Sequence, residues 1–242
     1  MCGRFALFTP PDRLATLFSA DLAPDTGPAD RPRWNVGPMS AVLGVVARPG
    51  AAGPDNRPNL LEAFRWGLVP PWARDPAIGN RLFNARSETV ATKPSFRAAY
   101  RARRMIVPAD GFYEWEKPAT SPRRPHFFRR ADGEPLALAG LWEVWRDDAA
   151  DHGPGGELRT CTIITTPANP DVDPVHDRMP AIVERGDLER WLDVSETDLE
   201  ALDAVLRPAR AGTLVHHRVD PRVGNSRNEG PTLVDPLDDR TA

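Results

Sequence analysis

Apolar runs along this chain are short, and proline or glycine breaks them every few positions. That punctuation predicts brief strands and helices joined by turns, and it excludes long helices. Residues 2–8 read as a strand, and Thr9 followed by Pro10 and Pro11 reads as the N-cap and first turn of a helix through Phe18. Residues 20–33 read as loop. The apolar run 41–47 predicts a strand, 48–58 a surface loop, and 60–68 a further strand. Residues 95–104 have the composition of a basic helix, capped by Ser95 after Pro94.

Four strands are expected next, at 105–108, 111–116, 125–130 and 136–145, with Ala131, Asp132 and Gly133 forming the turn between the last two. They make the expected sheet core. An acidic, glycine-rich connection at 147–157 leads to a strand at 160–165 and another at 179–183. Residues 188–206 read as two acidic helices broken near Val194 and Ser195, with Trp191, Leu199, Leu202 and Leu206 facing inward. A last strand covers 214–219, and 235–242 reads as a frayed tail. The predicted architecture is α+β: a single domain over residues 1–234, with a mostly antiparallel, barrel-like β-sheet and short flanking helices.

Composition narrows the class. With 242 residues, 40% of them hydrophobic and 27% charged, the chain has the size and balance of one soluble domain. No apolar run approaches membrane-spanning length and the N-terminus lacks the organisation of an export signal, so a cytoplasmic monomer with no membrane association is expected. Cys2 and Cys161 are too few for a disulfide framework and are expected as free thiols.

The net charge of −3 does not advertise a polyanionic partner, but charge is unevenly placed. Residues 81–104 carry seven basic side chains against Glu88 alone, whereas 187–203 carry seven acids against Arg190 alone. Only Lys93 and Lys117 are lysines. Arginine's planar fork suits phosphate recognition.

Cys2 is the most informative position. Removal of Met1 would leave a residue with both an α-amine and a thiol, each with a usable reactive fraction near neutral pH. Such an aminothiol attacks an aldehyde through nitrogen and then closes through sulfur to a thiazolidine. Three times a polar or nucleophilic residue stands two positions before an arginine: Cys2 and Arg4, Asn84 and Arg86, His176 and Arg178. In extended backbone such pairs share a face, one member for chemistry and one for phosphate. Glu114 lies between aromatic residues, where partial burial would raise its proton affinity.

Trp34, Trp66, Trp72 and Trp115 fall near proline- and glycine-rich loops, as candidates to stack on bases. His216 and His217 are adjacent and point to opposite sides of a strand, which disfavours a metal pair, and Cys161 reads as a core thiol. No zinc spacing, P-loop or dinucleotide fingerprint occurs, so neither a metal nor a nucleotide cofactor is expected.

The segments Met1-Cys2-Gly3-Arg4-Phe5, Trp34-Asn35-Val36 with Pro38, and Trp66-Gly67-Leu68-Val69-Pro70 with Trp72 stand in order with Asn84-Ala85-Arg86-Ser87-Glu88-Thr89 and Pro108-Ala109-Asp110-Gly111-Phe112-Tyr113-Glu114-Trp115. His176-Asp177-Arg178-Met179-Pro180 and Val223-Gly224-Asn225 complete the set, which resembles the SOS response-associated peptidase family of abasic-site-processing proteins.

The resemblance implies that family's fold and a sensor of abasic sites in single-stranded DNA, including junctions with duplex. It implies autocatalytic loss of Met1, a covalent thiazolidine crosslink through Cys2 and a weak strand-cleaving lyase activity. Asn84 would position the terminus and lesion, Glu114 would handle protons, and His176 would assist Schiff-base formation and crosslink reversal. Arg4, Arg86 and Arg178 would grip phosphates and, with Asn35, Pro38 and Trp72, make up the implied DNA-binding set. Two rivals remain. An N-terminal-nucleophile amidase would also expose Cys2 before Gly3, but no Asn-Gly element occurs here; a non-covalent reader of modified bases would not need Cys2.

Overall fold

The computed structural model describes residues 2–48, 58–116, 124–146 and 156–237. In chain order the strands are β1 (Phe5–Leu7), β2 (Ala20–Leu22), β3 (Arg33–Val36), β4 (Ala41–Ala47), β5 (Asn59–Trp66), β6 (Asn84–Arg86) and β7 (Arg104–Ala109). They continue as β8 (Gly111–Trp115), β9 (Pro125–Arg130), β10 (Leu136–Arg146), β11 (Glu157–Pro167), β12 (Arg178–Pro180) and β13 (Leu214–Arg218). Four short helices, α1 (Pro11–Leu17), α2 (Arg97–Ala102), α3 (Leu188–Leu192) and α4 (Leu199–Val205), flank them. This is the α+β, mostly antiparallel barrel that the sequence predicts.

The barrel closes through five strands. β5, β4, β7, β10 and β11 pair antiparallel in turn, and β11 returns to β5 in a parallel register that sets Thr160 against Arg65 and Cys161 against Trp66. Closure leaves no open edge in this ring. At its centre every residue of β7 is buried. Met105 fits there because glycines on both neighbouring strands make room: a Cβ on Gly44 would fall 2.0 Å from the Met105 Cε, and one on Gly140 would fall 3.0 Å from its Cγ.

The second sheet runs β13-β9-β8-β1-β3. The chain passes into it from β7 at Asp110, whose carboxylate accepts from the amides of Phe8 (2.6 Å) and Thr9 (2.8 Å). A side chain at Gly111 would strike the Phe127 ring at 2.3 Å, so glycine is required for the corner between the two sheets. The strands at 125–130 and 136–145 therefore belong to different sheets. Ala131, Asp132 and Gly133 form a turn, with the Gly133 amide bonded to the Arg130 carbonyl, but it carries the chain between sheets and does not close a hairpin.

Other expectations are corrected locally. Pro10, not Thr9, occupies the N-cap of α1, and the Thr9 hydroxyl is bonded instead to Asp110. Phe96, not Ser95, precedes α2 as its N-cap, with no side-chain cap bond. Residues 20–33 hold β2 and a 3-10 turn at Gly27–Ala29, because β2 finds a parallel partner in β5. Residues 49–57 and 147–155 of the two anticipated connections lie outside the described residues, as do 238–242 of the anticipated tail. Within that tail the Leu237 amide is bonded to the Arg218 carbonyl.

The two charged segments meet. Arg104 is fully buried and donates to the carbonyls of Tyr100 and Arg101 at the end of α2, and to those of Trp191 and Asp193 at the end of α3. It thus caps two helices at once, supplying positive charge where backbone acceptors are unmet. The Tyr100 hydroxyl bonds Asp203 at 2.6 Å. The acidic helices thus dock against the basic segment, and Arg86 on β6 is exposed.

Candidate functional site

The site is assembled where β6, β8 and the turn before β12 converge on the N-terminal segment. β6 is held parallel to β11, pairing Asn84 with Ile163 and Arg86 with Thr165, while the Trp66 indole donates to the Phe83 carbonyl at 2.8 Å just upstream. With its backbone fixed in this way, Asn84 donates its side-chain amide to the Cys2 carbonyl at 2.7 Å. The Asn84 Oδ1 is buried without a hydrogen-bond partner among the described residues. Such an atom is costly to leave unpaired.

Glu114, on β8, is buried within the same region. Burial pushes its carboxyl up to about 7, with the positively charged chain terminus pulling the other way. A carboxyl titrating there can both take and give a proton near neutral pH. Cys2 is fully buried; desolvation, helped by the nearby Glu114 carboxylate, drives its thiol well above the ordinary range. A neutral thiol needs a base before it can attack, and Glu114 is the neighbouring group able to serve.

His176 faces Glu114 with Nε2 3.7 Å from Oε2, an ion-pair separation longer than a hydrogen bond. Its Nδ1 accepts the Arg178 amide at 3.0 Å and lies 3.1 Å from the Asp177 carboxylate. His176 sits in a turn and not in extended backbone; its two-residue relation to Arg178 is this local bond, whereas Asn84 and Arg86 do lie on a strand as anticipated.

Glu114 and His176 border a cleft of about 760 Å³ lined also by Gly3, Phe83, Arg86, Trp115, Pro167, Asp177 and Arg178; Cys2, fully buried, and Asn84 adjoin its lining residues Gly3 and Phe83 in the chain and do not line it themselves. Arg86 and Arg178 thus join Glu114 and His176. Trp72 lies apart, 59% exposed beside a second hollow of about 670 Å³ that Arg74 and Arg81 share. Pro38 is half-buried on the turn between β3 and β4.

Arg4 and Asn35 do not line the cleft. Asn35 is fully buried, and its amide donates to the carbonyls of Val223, Asn225 and Asn228 while its Oδ1 accepts from Arg4 at 2.7 Å. Arg4 also donates to the Val223 carbonyl at 2.8 Å. Both belong to a clip that ties the N-terminal segment to the 222–228 loop; Asn35, being buried, has no surface to offer DNA directly. Among the tryptophans, Trp66 is fully buried and not available for stacking, Trp34 packs against Phe8, and Trp115 reaches the cleft.

Three contributors escaped the sequence reading: Asp177 beside His176, Glu88 paired with Arg178, and Thr165, whose carbonyl accepts from Arg178 at 2.6 Å. Asp177 and Glu88 stand inside quoted motifs, so their positions were visible although their partners were not. No signal in the sequence marked Thr165. Among the described residues no group of three or more His, Cys, Asp or Glu side chains could hold a metal ion.

The chain is 36% identical to the abasic site processing protein YoqW of Bacillus subtilis, over 97% of this chain and 99% of that one. It is 31% identical to the abasic site processing protein HMCES of Gallus gallus, over 86% of this chain and 67% of that one. A crystal structure of a Bacteroides thetaiotaomicron protein superposes with a TM-score of 0.83 at 24% identity, covering 98% of this chain and all of that one. A Bordetella bronchiseptica protein superposes at 0.72 with 26% identity, covering 90% of this chain and all of that one. The family model for SOS response associated peptidase (SRAP) matches residues 1–226, and the chain belongs to that family.

Proposed function

We propose that this protein processes abasic sites in single-stranded DNA by bonding covalently to them through Cys2. The observation that carries the reading is the convergence of Cys2, Asn84, Glu114 and His176 beside one arginine-bearing cleft. Its relatives bear the name of abasic site processing proteins, which supplies the substrate class.

In the proposed sequence Met1 is first removed by hydrolysis of its peptide bond, with Glu114 as the proton-handling group. The freed Cys2 amine adds to the aldehyde of the ring-opened deoxyribose, and the resulting carbinolamine loses water to give an imine. His176 protonates the departing hydroxyl. The Cys2 sulfur then adds to the imine carbon; Glu114 takes the thiol proton and returns it to nitrogen, leaving a thiazolidine. The crosslinking steps release one water, and the preceding hydrolysis of Met1 consumes one. Asn84 holds the Cys2 carbonyl so that the amine and thiol approach the same carbon, a gain from orientation. The imine also acidifies the adjacent sugar carbon, which accounts for lyase-type strand cleavage as a side path. Arg86 and Arg178 hold flanking phosphates, and the protein acts in the cytoplasm as a monomer without a cofactor.

The intact mass of the purified protein, alone and after incubation with a single-stranded oligonucleotide bearing one abasic site, tests this reading. The expected species lacks Met1 and gains the oligonucleotide mass less one water, and Cys2→Ala forms no adduct. Retention of Met1, or an equal adduct with Cys2→Ala, would overturn it.

A further inference from the structure

Arg178 borders the cleft, yet its guanidinium already holds an anion. Nη1 and Nη2 engage the two carboxylate oxygens of Glu88, the second at 3.1 Å. On its other side Nη2 donates to the Thr165 carbonyl at 2.6 Å and lies 3.2 Å from the Thr165 hydroxyl. The Arg178 side chain is 12% exposed and that of Glu88 is 47% exposed. The guanidinium is therefore anchored by the rigid β11 backbone, whereas its anionic partner stands at the solvent edge. The Arg178 fork meets carboxylate and phosphate with the same bidentate geometry.

From these contacts we infer that Glu88 is a built-in stand-in for a DNA phosphate: it occupies the phosphate-binding edge of Arg178 in the free protein and yields that edge to the backbone when DNA enters. Thr165 keeps the guanidinium aimed during the exchange, so little ordering is needed when the phosphate arrives. The contact with Arg178 holds the Glu88 carboxyl below its usual range, which keeps the stand-in ionised in neutral solution. The function of such an arrangement is selectivity. Because Arg178 must exchange one anion for another, its contribution to affinity for undamaged single strands is small, and firm binding depends on what the rest of the cleft recognises at the lesion.

This inference rests on the DNA-binding reading above, and a non-covalent probe separates the two. The probe is a labelled single-stranded oligonucleotide carrying one tetrahydrofuran abasic analogue, which has no aldehyde. Its affinity is measured over a range of salt for wild type, Glu88→Gln, Arg178→Ala and the double variant. Glu88→Gln is expected to bind severalfold more tightly, with the slope of log affinity against log salt steeper by about 0.7, the value for one added phosphate contact on a single strand. In the Arg178→Ala background the same substitution should have little effect, so the cycle isolates the pair.

Equal tightening in both backgrounds would mean that Glu88 acts only as a general negative charge, and no tightening would mean that the pair is a structural strut; either result overturns the inference. Glu88→Ala checks the direction with a second side chain, and thermal melting confirms that each variant is folded. Failure of the wild type to bind the probe would instead count against the DNA-binding reading itself.

Discussion

The molecule contains two polar centres that both hold the N-terminal segment, one through Arg4 and one through Cys2, and they are finished to different degrees. In the clip, Asn35 uses both amide hydrogens and its oxygen on fixed partners, three carbonyls and Arg4. Beside the cleft, Asn84 makes one bond to Cys2 and keeps a buried oxygen unmatched among the described residues, while the neighbouring Glu114 is displaced far from its usual proton affinity. Satisfied buried polar groups hold a fold in one arrangement; unsatisfied or perturbed ones store readiness for a reaction. Two asparagines of one family pattern thus do different work, and only their partners tell them apart.

Glu114→Gln should give the largest break in this contrast. Crosslinking is expected to fall by about 10² to 10⁴, the usual range for loss of a general acid or base. In the wild type its single-turnover rate should rise with pH as the Glu114 carboxyl, raised by burial, ionises, and this rise should vanish in the variant.

Stability should move the opposite way. The folded carboxyl binds its proton up to about 7 against 4.5 in the unfolded chain, so the native state binds more protons in between and loses on the order of 3 kcal/mol as pH rises through that window. Denaturant unfolding at several pH values checks this, and Glu114→Gln should flatten the dependence. A wild-type stability that rises over the same window would show that burial is not what sets the Glu114 proton affinity.

Substituting the two asparagines sharpens the comparison. Asn35→Ala should cost about 3 kcal/mol of unfolding free energy, since it strands several buried carbonyls and Arg4. Asn84→Ala should cost no more than about 1 kcal/mol, the worth of one hydrogen bond, yet slow crosslinking by about 10²-fold through misplacement of Cys2. Equal destabilisation by both substitutions, with equal residual rates, would erase the distinction.

The smallest effect is expected at Trp72. If its exposed ring stacks on a base, Trp72→Ala should weaken single-strand binding by about 1 kcal/mol without altering the single-turnover rate at saturating DNA, as read by fluorescence titration and gel shift.

The fold was legible wherever local pattern decided it. The run 41–47 coincides with β4 because a β-branched apolar stretch bounded by turns has few alternatives, and the break at Val194 and Ser195 divides α3 from α4 as expected. Long-range pairing was not legible. Ala131-Asp132-Gly133 has the chemistry of a hairpin turn, but the strands around it join different sheets, a choice set by the Gly111 corner and the bonding of Asp110. Helix caps failed for the same reason: Thr9 found a better partner a hundred residues away.

At the site, residue identities carried Cys2, Asn84, Glu114, His176, Arg86 and Arg178 to one place. Roles that depend on neighbours, such as Arg4 and Asn35 in the clip or Glu88 on Arg178, required coordinates.

The Arg4 contact with Val223 also orders events during synthesis. A ribosome releases Cys2 and Arg4 at the start and Val223 only near the end, so the first residues leave the exit tunnel long before their clip exists. Until residues 223–228 emerge, Asn35 has no carbonyls to hold and Arg4 lacks its Val223 partner. The order of assembly is thereby written into the connectivity: the clip on the N-terminal segment can close only once the chain is nearly made.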